Sequence, residues 1–192
     1  VEVTTKIDKL SKQLYVQSKF YDEIWELVKN KATMLASIPA IQPVANKDLT
    51  RVASGYGMRV HPIYKTVKLH AGMDFTAPVG TEIHSTGNGT VTKLEYDGRG
   101  YGNNVIINHG YGYESLYGHM SRIVVRPGQK ISRGDLIGYV GNSGSSTGPH
   151  LHYEVRKNGN PVNPVNFYYS DLTPEEYEKM LEISARAGQS FD

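Results

Sequence analysis

Gly148-Pro149-His150-Leu151-His152-Tyr153-Glu154-Val155 reads as the start of a β-strand, with apolar residues at alternate positions. Side chains alternate across a strand, so His150 and His152 share one face while Leu151, Tyr153 and Val155 take the other. The apolar face can anchor in a core while two imidazoles project together into an open site. Imidazole is both a common zinc ligand and a proton shuttle near neutral pH.

Working outward, the same texture continues on both sides. Downstream, Asn158-Gly159 signals a type I′ hairpin turn. Upstream, Thr90–Tyr96 alternates and meets Asp97-Gly98, and Asn104–Asn108 is an apolar run ending at His109-Gly110. Tyr113–Tyr117 and Asp135–Val140 are two further strand candidates, with the turn Arg126-Pro127-Gly128-Gln129 between them. Twenty glycines, 14 tyrosines and a hydrophobic fraction of only 39% suit short strands joined by tight turns. The expected fold is mainly β: an antiparallel β-sandwich or partly open barrel over residues 49–170.

Two helical segments flank it. Ile7, Leu14, Tyr21, Val28 and Leu35 recur every seven residues, with Val3, Leu10, Ile24 and Ile38 interleaved and Gln17 and Lys31 as polar interruptions. This heptad seam predicts an N-terminal helix over 1–38, either a coiled-coil or hairpin spacer able to self-associate or an amphipathic helix packed on its own domain. The chain opens on Val within this pattern, so the helix is expected to continue upstream of a trimmed or processed start. Pro39 and Pro43 end it, and 39–48 reads as a linker. Over 171–192, Thr173, Pro174 and Glu176 form a capping box that starts a short C-terminal helix.

Composition excludes several functions. A net charge of +2 is too small and dispersed to argue for nucleic acid. The absence of cysteine removes disulfides, thiolate metal sites and cysteine nucleophiles, so any metal is held by His, Asp or Glu. No apolar run reaches the roughly 20 residues that span a bilayer.

A carboxylate and a third imidazole precede the opening stretch, in Leu69-His70-Ala71-Gly72-Met73-Asp74-Phe75. Gly72 and the following Thr76-Ala77-Pro78 argue against a helix here. In a straight strand His70 and Asp74 would stand about 13 Å apart, so a bend at Gly72 is expected to bring them together. With one histidine of the later pair they make a two-His, one-carboxylate set, which is the ligand pattern of a catalytic zinc site. His119, in Tyr117-Gly118-His119-Met120, closes another β-run.

These motifs in this order resemble the lysostaphin/LytM-type zinc metallopeptidases of bacterial cell walls. The likeness rests on His70 to Asp74, on His119 and on His150 to His152. Ser54-Gly55-Tyr56-Gly57-Met58-Arg59-Val60-His61-Pro62 and Ser143–Pro149 match as well. It covers roughly residues 50–167. The resemblance implies one Zn2+ per chain held by His70, Asp74 and His152, with His119 and His150 as catalytic histidines. It implies hydrolysis of peptide cross-links in peptidoglycan at the cell envelope, on its periplasmic or extracellular face, with the N-terminal helix expected to meet an envelope protein partner or to follow a membrane anchor upstream of Val1. The D,D-endopeptidase type is preferred to the glycine-bridge type. Tyr56, Arg59, His61 and Tyr117 are expected to border the substrate groove. The alternatives are a non-catalytic wall-binding scaffold that activates another hydrolase, and an enzyme whose 39–48 segment plugs the cleft with Gln42, Asn46 or Asp48.

Overall fold

The computed structural model describes residues 2–45, 51–60, 66–170 and 172–185, and divides after Ala36 into two compact units. The first is a single helix, α1 (Glu2–Ser37), whose seam residues Ile7, Leu10, Leu14, Tyr21, Ile24 and Val28 are exposed.

The second unit is built from β1 (Arg51–Ser54), β2 (Gly57–Val60), β3 (Val67–His70), β4 (Met73–Thr76), β5 (Glu82–His84), β6 (Gly89–Tyr96), β7 (Asn103–Gly110), β8 (Tyr113–Gly118), β9 (Met120–Ile123), β10 (Lys130–Ile131), β11 (Leu136–Val140), β12 (Leu151–Lys157) and β13 (Asn160–Val162). A 3-10 segment (Pro164–Ser170) and α2 (Pro174–Ala185) follow. The large sheet runs β1-β4-β12-β8-β7-β6-β10, with β13 also paired to β12; β5-β11-β9 and β2-β3 form smaller sheets. Every described pairing is antiparallel. The sheets do not close into a barrel, in keeping with the expected antiparallel sandwich or partly open barrel.

Alternation decides the layers. Met73, Phe75, Val105, Ile107, Tyr117, Leu151, Tyr153 and Val155 of the large sheet share one core with Ile83, Ile137 and Val140 of the three-stranded sheet. Each such buried side chain contributes on the order of 1.5–3 kcal/mol relative to exposure. The interleaved residues Asp74, His152 and Glu154 point to the opposite face, and the register sets His152 directly across from both Asp74 and Gly118. The strand that opened the reading is therefore central, flanked by β4 and β8.

The turn chemistry is as the residues require. Asn158 (φ 50°) and Gly159 (φ 80°) take the two left-handed positions of the β12–β13 turn. In the α2 capping box, Thr173 N donates to Glu176 Oε2 at 2.9 Å and Glu176 N donates to Thr173 Oγ1 at 3.2 Å.

Of the 39–48 stretch, residues 39–45 are described. Ala40 N donates to Thr86 O and His84 N to Pro43 O, with Ala40 and Val44 buried, so this segment is seated along β5. Gln42 is buried within it. Asn46 and Asp48 lie outside the described residues.

Candidate active site

The bend between His70 and Asp74 falls at Gly72. A Cβ there would stand 2.2 Å from Tyr153 O and 3.0 Å from Glu154 Cγ, so only glycine lets the β3–β4 corner close against β12. Closure brings His70 Nε2 to 3.1 Å from Asp74 Oδ1 and 3.2 Å from His152 Nδ1, and His152 Nδ1 to 3.1 Å from the same carboxylate oxygen. All three residues are buried.

The outer partners settle which atoms carry protons. His70 Nδ1 lies 2.7 Å from Gly55 O, and a carbonyl only accepts, so Nδ1 is the donor. In the neutral ring Nε2 then faces the cluster as a lone pair. His152 Nε2 donates in the same way to Glu154 Oε1 at 3.1 Å, which leaves Nδ1 as the inward lone pair. Two imidazole lone pairs and a carboxylate oxygen thus converge, three acceptors at hydrogen-bond distance. Such a set is electrostatically costly unless a cation or a proton sits among them. It suits a divalent metal: tetrahedral coordination with metal–nitrogen bonds of about 2.0–2.1 Å sets neighbouring donors about 3.3 Å apart. Among the described residues this trio is the cluster able to hold a metal ion.

Two more buried imidazoles stand beside it. His119 follows β8 with φ 58°, which breaks strand alternation and turns its ring to the Asp74 face. Its Nδ1 donates to Ser143 O at 2.7 Å. His150 is bridged to Gly141 just before β12, and its Nδ1 donates to Gly148 O at 2.8 Å, with Ser146 Oγ at 3.2 Å. Both rings are held at Nδ1, so in the neutral form each presents Nε2 as its basic atom. The His119 and His150 centroids are 4.6 Å apart, His119 is 6.1 Å from His152, and His150 Nε2 is 3.8 Å from Asp74 Oδ1.

The four expected groove residues divide. Tyr56 and Arg59 lie beside the His70 corner, since β2 pairs with β3. The Tyr56 hydroxyl donates to Pro161 O, and Arg59 Nη2 donates to Tyr56 O. His61 lies outside the described residues. Tyr117 is not brought to the site: it is fully buried on the core face, its hydroxyl bonded to Thr86 and Ser115. The left-handed backbone at His119 is what separates the two neighbours.

Three residues around the cluster were not singled out from the sequence. Glu154 Oε1 also accepts from Tyr101 Oη at 2.5 Å, and Glu154 Oε2 accepts from Arg156 Nε at 2.8 Å and Nη2 at 2.7 Å. Burial pushes the Glu154 carboxyl up, but the hydrogen bonds from His152 and Tyr101 and the charge of Arg156 together hold it below the usual range. Tyr101 is pushed up to about 12, first by burial and then by the Glu154 charge, so it remains a donor. Its ring stacks on His152 at 5.0 Å. Period-2 alternation extended by one step would have placed Glu154 with His150 and His152.

An antiparallel sheet carrying a two-histidine, one-carboxylate cluster, with two further imidazoles oriented beside it, is the architecture of a metallopeptidase. The chain belongs to peptidase family M23, whose model matches residues 68–164, just over half of its length. It is 49% identical over 119 residues to the DD-carboxypeptidase/endopeptidase Mpg of Neisseria meningitidis, covering 61% of this chain and 27% of that protein. It is 46% identical over 114 residues to the peptidoglycan DD-endopeptidase ShyA of Vibrio cholerae, covering 59% and 26% respectively. The chain thus spans about a quarter of these relatives. Among solved structures, a variant of the catalytic domain of the prophage-encoded M23 protein EnpA from Enterococcus faecalis aligns with a TM-score of 0.57 at 39% identity. That alignment covers 65% of this chain and 95% of the EnpA chain.

Proposed function

We propose that the protein is a zinc metalloendopeptidase that hydrolyses D,D peptide cross-links of peptidoglycan and works in the cell envelope. The observation that carries this reading is the tautomer pattern. Partners at the outer nitrogens of His70 and His152 leave three acceptors converging, and two adjacent imidazoles are fixed with Nε2 as the basic atom. The names of the Neisseria and Vibrio relatives support the substrate class.

His70, Asp74 and His152 would hold the zinc, which supplies Lewis-acid polarisation of a peptide carbonyl and activates water at neutral pH. His119 and His150 take the proton from the attacking water, return one to the leaving amine, and stabilise negative charge on the carbonyl oxygen. Their Nδ1 anchors on Ser143 O and Gly148 O keep each ring from rotating as its Nε2 changes protonation. Tyr56 and Arg59, beside the His70 corner, border the groove for the peptide stem.

The test is mass-spectrometric identification of products from purified peptidoglycan incubated with zinc-loaded protein. Cross-linked dimers should be converted to monomers cut at the D,D bond, and a chelator should stop the reaction. His119→Ala and His150→Ala should each abolish turnover while retaining zinc. Intact dimers with the zinc-loaded wild type would assign the protein to a binding or scaffold role.

A further inference from the structure

We infer that Glu154 and Tyr101 are positioning residues that set the zinc affinity of the site and couple its metal half to its proton-transfer half. This rests on the proposed zinc site. Glu154 is fully buried, and both of its oxygens are engaged: Oε1 by His152 Nε2 and Tyr101 Oη, Oε2 by Arg156. A carboxylate held this way cannot release the imidazole without giving up one of the donors that offset its burial. It therefore locks His152 in the one tautomer that presents Nδ1 to His70 and Asp74. It also adds electron density to the ligating ring, as outer carboxylates do at metal-bound histidines.

Tyr101 makes this arrangement specific to the reaction geometry. Its hydroxyl fixes Glu154 and its ring stacks on His152, while its backbone carbonyl accepts the N–H of His119 at 2.7 Å. One residue thus anchors the ring expected to bind metal and the backbone of an imidazole expected to move protons. Its loop is pinned from both sides. Gly100 N donates to Ser145 Oγ and Ser145 N to Gly100 O, while Asn103 N donates to Ser143 Oγ. Ser143 is also the residue whose carbonyl holds His119.

The experiment measures zinc dissociation constants by competition with a chromophoric chelator, alongside melting of the metal-free protein and the visible spectrum of the Co2+-loaded form. Glu154→Gln should weaken zinc binding about 10- to 100-fold and shift the cobalt bands. Tyr101→Phe, which keeps the stacked ring and removes one hydroxyl, should weaken it toward the lower end of that range and lower kcat with little change in KM. If Glu154→Gln fails to fold, Tyr101→Phe carries the test alone. Wild-type zinc affinity with unchanged cobalt bands overturns the inference. So does a loss of affinity matched by an equal loss of metal-free stability with unchanged bands. A wild-type protein that binds no zinc overturns both this inference and the proposed function, whereas zinc binding without cleavage overturns only the function.

Discussion

Two buried polar clusters lie on opposite faces of the same sheet, and they are solved in opposite ways. On the core face, His109 Nδ1 donates to Asn88 O at 2.8 Å, and its Nε2 meets Ser115 Oγ at 2.7 Å. Ser115 is bonded to the Tyr117 hydroxyl, which meets Thr86, which in turn accepts from Tyr153 Oη. Each hydroxyl in that chain can both donate and accept a hydrogen bond, so donors and acceptors match within the protein alone. On the other face, His70, Asp74 and His152 bring acceptor to acceptor. The first cluster is complete and stabilises the fold. The second sets acceptors at a spacing that suits the zinc ion of the proposed function, which would give it a functional rather than a structural role.

The largest effect that could break this contrast is expected at Asp74. Asp74→Asn replaces a carboxylate oxygen with an amide whose N–H groups can donate to the lone pairs of His70 and His152. Zinc retention should fall below detection, and peptidoglycan cleavage should drop by about a thousandfold or more, the equivalent of losing several kcal/mol of metal assistance. The folding midpoint of the metal-free protein should not fall, because the amide can donate to an imidazole lone pair where the carboxylate could only accept. A metal-free variant clearly less stable than the wild type in urea titrations would mean that the acceptor cluster is satisfied within the protein, and the contrast would collapse.

The next effect belongs to His109. Burial, the first cause, and the Arg133 charge outweigh its hydrogen bonds to Asn88 and Gly87 and lower its pKa to about 4. An unfolded chain would protonate this ring near the usual value of about 6.5. The unfolded state therefore binds more protons between these values. Stability is fully present above about pH 6.5 and is lost as pH falls toward 4, by about 3 kcal/mol from this residue. His109→Gln should remove that part of the acid slope in denaturant titrations across this window while leaving turnover per folded molecule at neutral pH unchanged. An identical slope in the variant would show that the core cluster carries no proton-linked cost.

Much of the His70, Asp74 and His152 cluster could be read from residue order because period-2 alternation and turn chemistry act locally, whereas the core cluster was not anticipated. Thr76-Ala77-Pro78 ruled out a helix after His70, and a bend at Gly72 was then the way for Asp74 to reach it. The same local rules anticipated the Asn158-Gly159 turn and the Thr173 cap. The outer partners of the site were harder for two different reasons. Glu154 followed the alternation that grouped His150 with His152, but reading it needed a donor to be assigned to His152 first. Tyr101 depends on two loops closing against each other, where a Cβ at Gly144 would stand 2.4 Å from Gly102 N, and no sequence period encodes that approach. Tyr117 was expected in the groove because it neighbours His119. The positive φ at His119 reverses the face within two residues, and only coordinates reveal it. The seating of residues 39–45 along β5 was also invisible, since two prolines within a short extended stretch look the same docked or free.

The smallest effect is the sharpest test of the two-face division, because it is made next to a proposed metal ligand. Tyr153 follows His152 directly, yet its ring is fully buried on the core face against Phe75, Tyr117 and Tyr168. Its hydroxyl is the donor that ends the core chain at Thr86 Oγ1, 2.8 Å away. Tyr153→Phe keeps the ring and removes that one hydrogen bond, so it should cost about 1 kcal/mol of folding stability. Zinc affinity, kcat and KM should match the wild type. Glu154→Gln, one residue further along, should do the reverse and act on zinc. If Tyr153→Phe instead weakened zinc binding as much as Glu154→Gln, β12 would be transmitting strain along its backbone. Function at this site would then depend on the whole strand rather than on which face each side chain takes.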